Sequence, residues 1–148
     1  MALLAWRWLP SFIRNALFPY LGGQWAGTIE FEDASGALTP RKATLEVAHT
    51  LTSIQFALST EESTSETLLV HARRVSVLGE LVKLVYVYEV ERREGFPGAG
   101  DRYRGCAFLD VRLTPQKIMT GNYFAGPKRS GVMRMALVRH NPFWKFWR

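Results

Sequence analysis

The sequence predicts an all-β fold, an eight-stranded antiparallel up-and-down barrel behind a short N-terminal helix. Three features predict it. Beyond Gly22 the apolar residues recur at every second position, which is the period of a half-buried strand. Turn residues cut this pattern into about eight segments, spaced 8–14 residues apart. No helical crossover separates them, and parallel neighbours need one, so the strands must pair antiparallel. Hairpins throughout close most simply into a barrel, and eight strands leave room for one small ligand.

The segment 1–20 opens the chain with Leu, Trp, Phe and Ile on one helical face and Arg7, Ser11 and Arg14 on the other. Arg7, Pro10 and Arg14 interrupt it too often for a transmembrane span, and no basic n-region or small-residue cleavage site marks a secretory signal. Such an amphipathic helix either lies on a membrane or plugs one end of the domain. The barrel is expected over 21–139. Its first strand alternates Trp25, Gly27, Ile29 and Phe31 with polar residues and ends at Asp33-Ala34-Ser35-Gly36. Leu45 and Val47, then Ile54, Phe56 and Leu58, carry the next strands. A Ser/Thr/Glu-rich stretch from Ser59 to Thr67 breaks the apolar pattern before strands near 67–75 and 80–91.

The loop Gly95-Phe96-Pro97-Gly98-Ala99-Gly100 leads into the clearest strand, 102–113. One face of that strand is Tyr103, Gly105, Ala107, Leu109, Val111 and Leu113; the other is Arg102, Arg104, Cys106, Phe108, Asp110 and Arg112. Pro115 marks a connection to a strand near 116–124, and the loop from Gly126 to Gly131 precedes a strand at 132–139. The tail, 140–148, mirrors the head: four of the five tryptophans lie in these two terminal segments, beside Lys and Arg. That is interfacial chemistry, unless the two ends pack on the barrel and bury each other.

The net charge of +6 is unevenly spread. Residues 102–148 carry ten Lys/Arg and one Asp/Glu, and the preceding residues carry nine and twelve, so the last third is about +9 and the rest about −3. Such a block suits an anionic partner or forms a solvated basic face. The single cysteine, Cys106, cannot form an internal disulfide, which favours a reducing compartment. Catalytic chemistry has little footing. His49, His71 and His140 are isolated and lack zinc-type spacing. Nucleophile elbows, phosphate loops and dinucleotide fingerprints are all missing. The chain therefore reads as a binding protein, with no enzyme activity, metal or cofactor expected.

Tyr86 and Tyr88 share a face with Val82, Leu84 and Val90, while Tyr103 and Tyr123 fall in later strands. Tyrosine offers a flat ring for stacking a base and a hydroxyl for a phosphate or base edge. Thr60, Ser63 and Ser65 would gather hydroxyls at one barrel mouth. Lys128 and Arg129 sit beside Ser130 and Gly131, where cations and backbone N–H groups could hold a phosphate.

Several segments carry a wider likeness. They are Pro19-Tyr20-Leu21-Gly22-Gly23-Gln24-Trp25-Ala26-Gly27, Phe56-Ala57-Leu58-Ser59-Thr60 leading into Ser63-Thr64-Ser65, Leu84-Val85-Tyr86-Val87-Tyr88, Tyr103-Arg104-Gly105 with Leu109, and Gly121-Asn122-Tyr123-Phe124 with Arg129-Ser130-Gly131. In order and spacing these resemble the β-barrel domain of the two-transmembrane, β-strand-rich effectors of CBASS, the cyclic-oligonucleotide-based anti-phage signalling systems, from about Pro19 to Leu137.

The resemblance implies a receptor for a cyclic dinucleotide made by a partner nucleotidyltransferase. Ligand binding would drive homo-oligomerisation, and attached helices would then disrupt the inner membrane. It also implies the bacterial cytoplasm or the inner-membrane surface as the location, and no DNA partner. The Ser/Thr run, the paired tyrosines, Tyr123 and Arg129 become the implied ligand contacts, whereas Arg104 falls on the outer face. The sequence departs from the family where only about twenty residues precede the barrel and where Glu89-Val90-Glu91 follows Tyr88. Two outcomes are open, an effector anchored by its aromatic–basic ends or a stand-alone sensor. An alternative is a lipocalin-like carrier of small apolar molecules, since Gly23-Gln24-Trp25 also matches the G-x-W opening of those proteins. An oligonucleotide-binding barrel is a third reading, and it predicts steep salt dependence.

Overall fold

A computed structural model describes residues 19–32, 35–50, 53–75, 80–126 and 129–140. The expected helix before Pro19 and the tail from Asn141 lie outside the described residues. Eight strands follow in order: β1 (Gly23–Glu32), β2 (Leu38–His49), β3 (Ile54–Thr60), β4 (Ser63–Arg74), β5 (Leu81–Arg92), β6 (Arg102–Arg112), β7 (Ile118–Ala125) and β8 (Arg129–Arg139). Each pairs antiparallel with its successor, and β8 returns to β1, so the sheet closes into an up-and-down barrel. The expected fold class is observed.

The differences lie at strand ends, where polar residues take inward positions. The stretch Ser59–Thr67 is largely strand, with Glu61 and Glu62 alone turning the chain between β3 and β4. Its alternation persists in hydroxyls: Ser65 is buried while Thr64 and Glu66 are exposed. Thr60 Oγ1 accepts from the Ser63 N–H at 3.1 Å, which holds the turn. β2 begins at Leu38, which is exposed, well before its first buried large apolar residue, Leu45, and β8 begins at Arg129, in what reads as a loop.

Inward positions carry the core. Trp25, Val47, Phe56, Val82, Leu84, Tyr86, Leu109, Val111, Met119, Met133 and Met135 are all fully buried. At about 1.5–3 kcal/mol for each large side chain withdrawn from water, this row supplies the main driving force for closure. One pole is sealed by the segment entering β1. Leu21 is buried there, its carbonyl accepts from Trp25 Nε1 at 3.1 Å, and its N–H donates to His49 Nδ1 at 3.0 Å. The Tyr20 ring stacks on His49 with centroids 5.4 Å apart, and Lys117 Nζ donates to the Tyr20 carbonyl at 2.6 Å. The Gly23-Gln24-Trp25 signature thus belongs to the plug of the closed pole.

The wall is uneven. β4 and β5 share eleven paired positions, whereas β3 and β4 share three, Ala57↔Glu66, Leu58↔Ser65 and Ser59↔Thr64. Below these the pairing gives way to side-chain bonds. The Thr67 hydroxyl accepts from the Phe56 N–H at 2.6 Å and donates to the Phe56 carbonyl at 2.8 Å. A bulge at Leu68 follows, and it turns both Leu68 and Leu69 outward.

Candidate functional site: a cavity at the open pole

The inward rows that fill the closed half with Leu, Val and Met change character toward the other pole. There they present tyrosines, hydroxyls and charges, and they enclose a cavity of about 770 Å³. This size lies within the usual span of small-ligand sites, about 300–1,000 Å³. Ile29 and Phe31 of β1, Leu58 and Thr60 of β3, Ser63 and Ser65 of β4, Tyr88 and Val90 of β5, Tyr103 of β6, Tyr123 and Ala125 of β7 and Met133 of β8 form the wall. Glu32, Arg41, Glu62, Arg92 and Pro97 form the rim.

Six of the nine residues expected at a ligand site therefore meet in one place: Thr60, Ser63, Ser65, Tyr88, Tyr103 and Tyr123. Tyr86 lies one layer below. Its ring is fully buried edge-on to Phe56 at 5.0 Å, and its hydroxyl is 3.1 Å from Ser65 Oγ, so it supports the floor. Lys128 is outside the described residues. Arg129 pairs with Ala125, a wall residue, which puts its position in the inward register at the mouth.

Room for the tyrosine rings comes from glycine. A Cβ on Gly105 would stand 2.6 Å from the Tyr88 ring and 2.5 Å from the Phe124 carbonyl oxygen. A Cβ on Gly131 would stand 2.6 Å from the Tyr123 ring. Each tyrosine lies flat over the backbone of a neighbouring strand instead of filling the barrel axis, which leaves the cavity open. Tyr88 donates its hydroxyl to the Phe124 carbonyl at 3.4 Å. Burial raises the Tyr88 pKa, and the adjoining Tyr86, Tyr123 and Tyr103 raise it further. Burial likewise pushes Tyr86 up to about 12, against a smaller opposing effect of the Ser65 hydrogen bond. Both hydroxyls stay neutral and can donate.

The rim holds the charges. Arg41 forms an ion pair with Glu62 and lies 4.5 Å from the centroid of the Phe31 ring. Arg92 Nη1 donates to the Pro97 carbonyl at 2.8 Å. Arg93 ties the neighbouring loop to the β3–β4 turn through its N–H to the Glu62 carbonyl, 2.9 Å, and its guanidinium to Ser59 Oγ, 2.5 Å. Two guanidiniums thus sit above a tyrosine-lined well, and guanidinium is the side-chain group best matched to phosphate. Among the described residues no cluster of His, Cys, Asp and Glu could hold a metal ion.

Arg41, Glu62, Arg92 and Phe31 are among the rim and wall residues that sequence reasoning missed. The signal for Arg41 was its phase, since Thr39, Arg41 and Ala43 continue the inward row of Leu45 and Val47 backward. Arg104 is outward, as the alternation required, and pairs with Glu89 at 3.2 Å.

A closed antiparallel barrel with one pole sealed and the other opening on a tyrosine-walled cavity defines a receptor for a small ligand. A family model described as "Cap15, cyclic dinucleotide receptor domain" matches residues 16–139. The chain belongs to this family of cyclic dinucleotide receptor domains of CBASS effectors. No curated protein is similar enough to match it. Among the described residues no helix is long and apolar enough to cross a membrane.

Proposed function

We propose that this protein senses a cyclic dinucleotide by taking it into the open-pole cavity. The observation that carries this reading is the conjunction of family membership with the cavity's chemistry. Flat aromatic rings line the well, and two arginines stand at its rim. A cyclic dinucleotide has two bases and two phosphates on one ring. Tyr88, Tyr103 and Tyr123 supply the stacking surfaces, Thr60, Ser63 and Ser65 supply hydroxyls for base edges or ribose, and Arg41, Arg92 and Arg129 take the phosphates. Arg41 is engaged by Glu62, so a phosphate that recruits it must displace that carboxylate. Ligand binding then promotes self-association, the step that turns a receptor into an effector. The ligand is the product of a partner nucleotidyltransferase, and the protein works at or near the inner membrane.

Calorimetric titration with a panel of cyclic dinucleotides, with light scattering before and after, tests this. Tight binding to one member with growth in size is the expected result. Absence of binding across the panel removes the nucleotide reading and favours an apolar ligand.

A further inference from the structure

We infer that the outer face of β4, β5 and β6 is a two-fold contact between two copies of this chain. This surface lies outside the barrel and does not involve the cavity. It supplies a specific interface for the self-association proposed above, and it is testable without any ligand.

Two adjacent ladder rows on this face form an apolar patch. One runs Leu69, Val87, Cys106 and Phe124; the next runs His71, Val85, Phe108 and Asn122 and is apolar at its centre. These side chains do not hide one another. Leu69 is 59% exposed, Phe108 54% and Phe124 47%, although the two phenylalanines meet edge-on at 6.3 Å. A contiguous exposed apolar patch on the outer wall of the barrel marks a surface that something covers.

Charge points to a second copy as the occupant, through side chains that also pair within the barrel, Glu89 with Arg104 and Lys83 with Asp110. Toward the mouth the patch is bounded by a row of Glu66, Glu89 and Arg104, and toward the closed pole by a row of Arg73, Lys83 and Asp110. Both rows are equally distant from the central row that contains Tyr86 and Ala107. A two-fold axis lying along that central row, in the plane of contact, reverses the strands and sets each against its own copy. Glu66 then faces Arg73 of the second molecule on β4, Glu89 faces Lys83 on β5, and Arg104 faces Asp110 on β6. All three strands put opposite charges together, twice over. An isologous interface requires this kind of self-complementarity, and an unrelated partner or a lipid surface does not.

The patch spans six residue steps and about four strands, roughly 20 Å by 15 Å. That footprint is well under the ~800 Å² per partner of a stable complex, so the contact is weak alone and concentration-dependent.

Charge-swapped full-length variants test it by sedimentation velocity over a concentration series reaching about 1 mM. Glu89→Lys and Lys83→Glu should each self-associate about tenfold or more weakly than the parent, because each places like charges opposite one another. Mixing the two variants should restore association, since the lysine introduced on β5 of one then faces the glutamate introduced on β5 of the other. The double variant, carrying both changes, should dimerise by itself. Titration with the cyclic dinucleotide, at protein concentrations dilute enough to keep every form monomeric, should be unaltered in all of them, which separates this contact from the ligand reading. A parent that stays monomeric throughout, or single variants and mixtures that all associate like the parent, overturns the proposal. So does Phe108→Ser if it abolishes flotation on anionic vesicles while leaving sedimentation unchanged, because lipid would then be the occupant.

Discussion

His49 makes the stability of the closed pole depend on pH in a way that can be calculated. Its Nδ1 accepts the Leu21 N–H, and its ring lies under Tyr20. Burial, with a smaller contribution from the Lys117 ammonium, lowers its pKa from 6.5 to about 4. The folded protein therefore holds the imidazole neutral where the unfolded chain has begun to bind a proton. Stability from this site is complete above pH 6.5 and drains away as the pH falls toward 4. At about 1.4 kcal/mol per pH unit, the loss reaches about 3 kcal/mol. For a chain of this size that lowers Tm by roughly 6–12 °C. His140 is shifted the same way, chiefly by burial, and adds to the slope. The clean measurement is thus the difference between the parent and His49→Gln, which keeps an oxygen to accept the Leu21 N–H but cannot titrate. Thermal melts at half-unit steps from pH 7.5 to about 4 should show a steep fall for the parent and a shallower one for the variant. Parallel curves would refute the assignment of the slope to a buried neutral imidazole.

The cavity yields further expectations. Arg41→Ala and Arg92→Ala should each weaken a cyclic dinucleotide about tenfold or more by calorimetry, the equivalent of losing a charge-assisted hydrogen bond of about 1.5–3 kcal/mol, with the melting curve preserved. Arg129→Ala should do the same. Tyr88→Phe should retain most of the affinity if stacking dominates, while Tyr88→Ala should lose about 1–3 kcal/mol of binding free energy. Gly105→Ala should cost about 1–3 kcal/mol of stability in denaturant titration, because the added methyl meets the Phe124 carbonyl and drives the Tyr88 ring toward the cavity.

What could be read beforehand depended on whether a residue's position carried an apolar signal. β6 was legible because Tyr103, Ala107, Leu109 and Val111 mark the inward phase without ambiguity, and the same phase correctly sent Arg104 outward. The tyrosines of the cavity were legible for the same reason. Arg41 was not, because Pro40, Arg41 and Lys42 resemble a turn. They are strand residues because their β1 partners, Glu30, Ile29 and Thr28, continue the ladder to the rim. A ligand-binding barrel mouth needs polar residues at inward positions, and those positions erase the hydrophobic alternation by which strands are recognised. Tyr86 failed as a wall residue for a different reason: period two fixes the face of a strand, but depth along the barrel axis depends on which cross-strand neighbours stand above it. His49 reads as an ordinary strand histidine from sequence, and only the fold of 19–22 over the pole shows what it receives.

The short ladder between β3 and β4 has a mechanical consequence. All three of its paired positions lie at the cavity end of the barrel, beside Thr60, Ser63 and Ser65, and from Leu68 onward β4 has no β3 partner. The barrel is therefore closer to a clasp than to a hoop, fastened at the place where its ligand would sit. An empty receptor should open first along this line, with the Ala57–Ser59 amides exchanging sooner than those of β5 and β6. A ligand that bridges Thr60 and Ser65 would hold the clasp shut, so occupancy of the well would be felt as stiffness down the whole length of the wall.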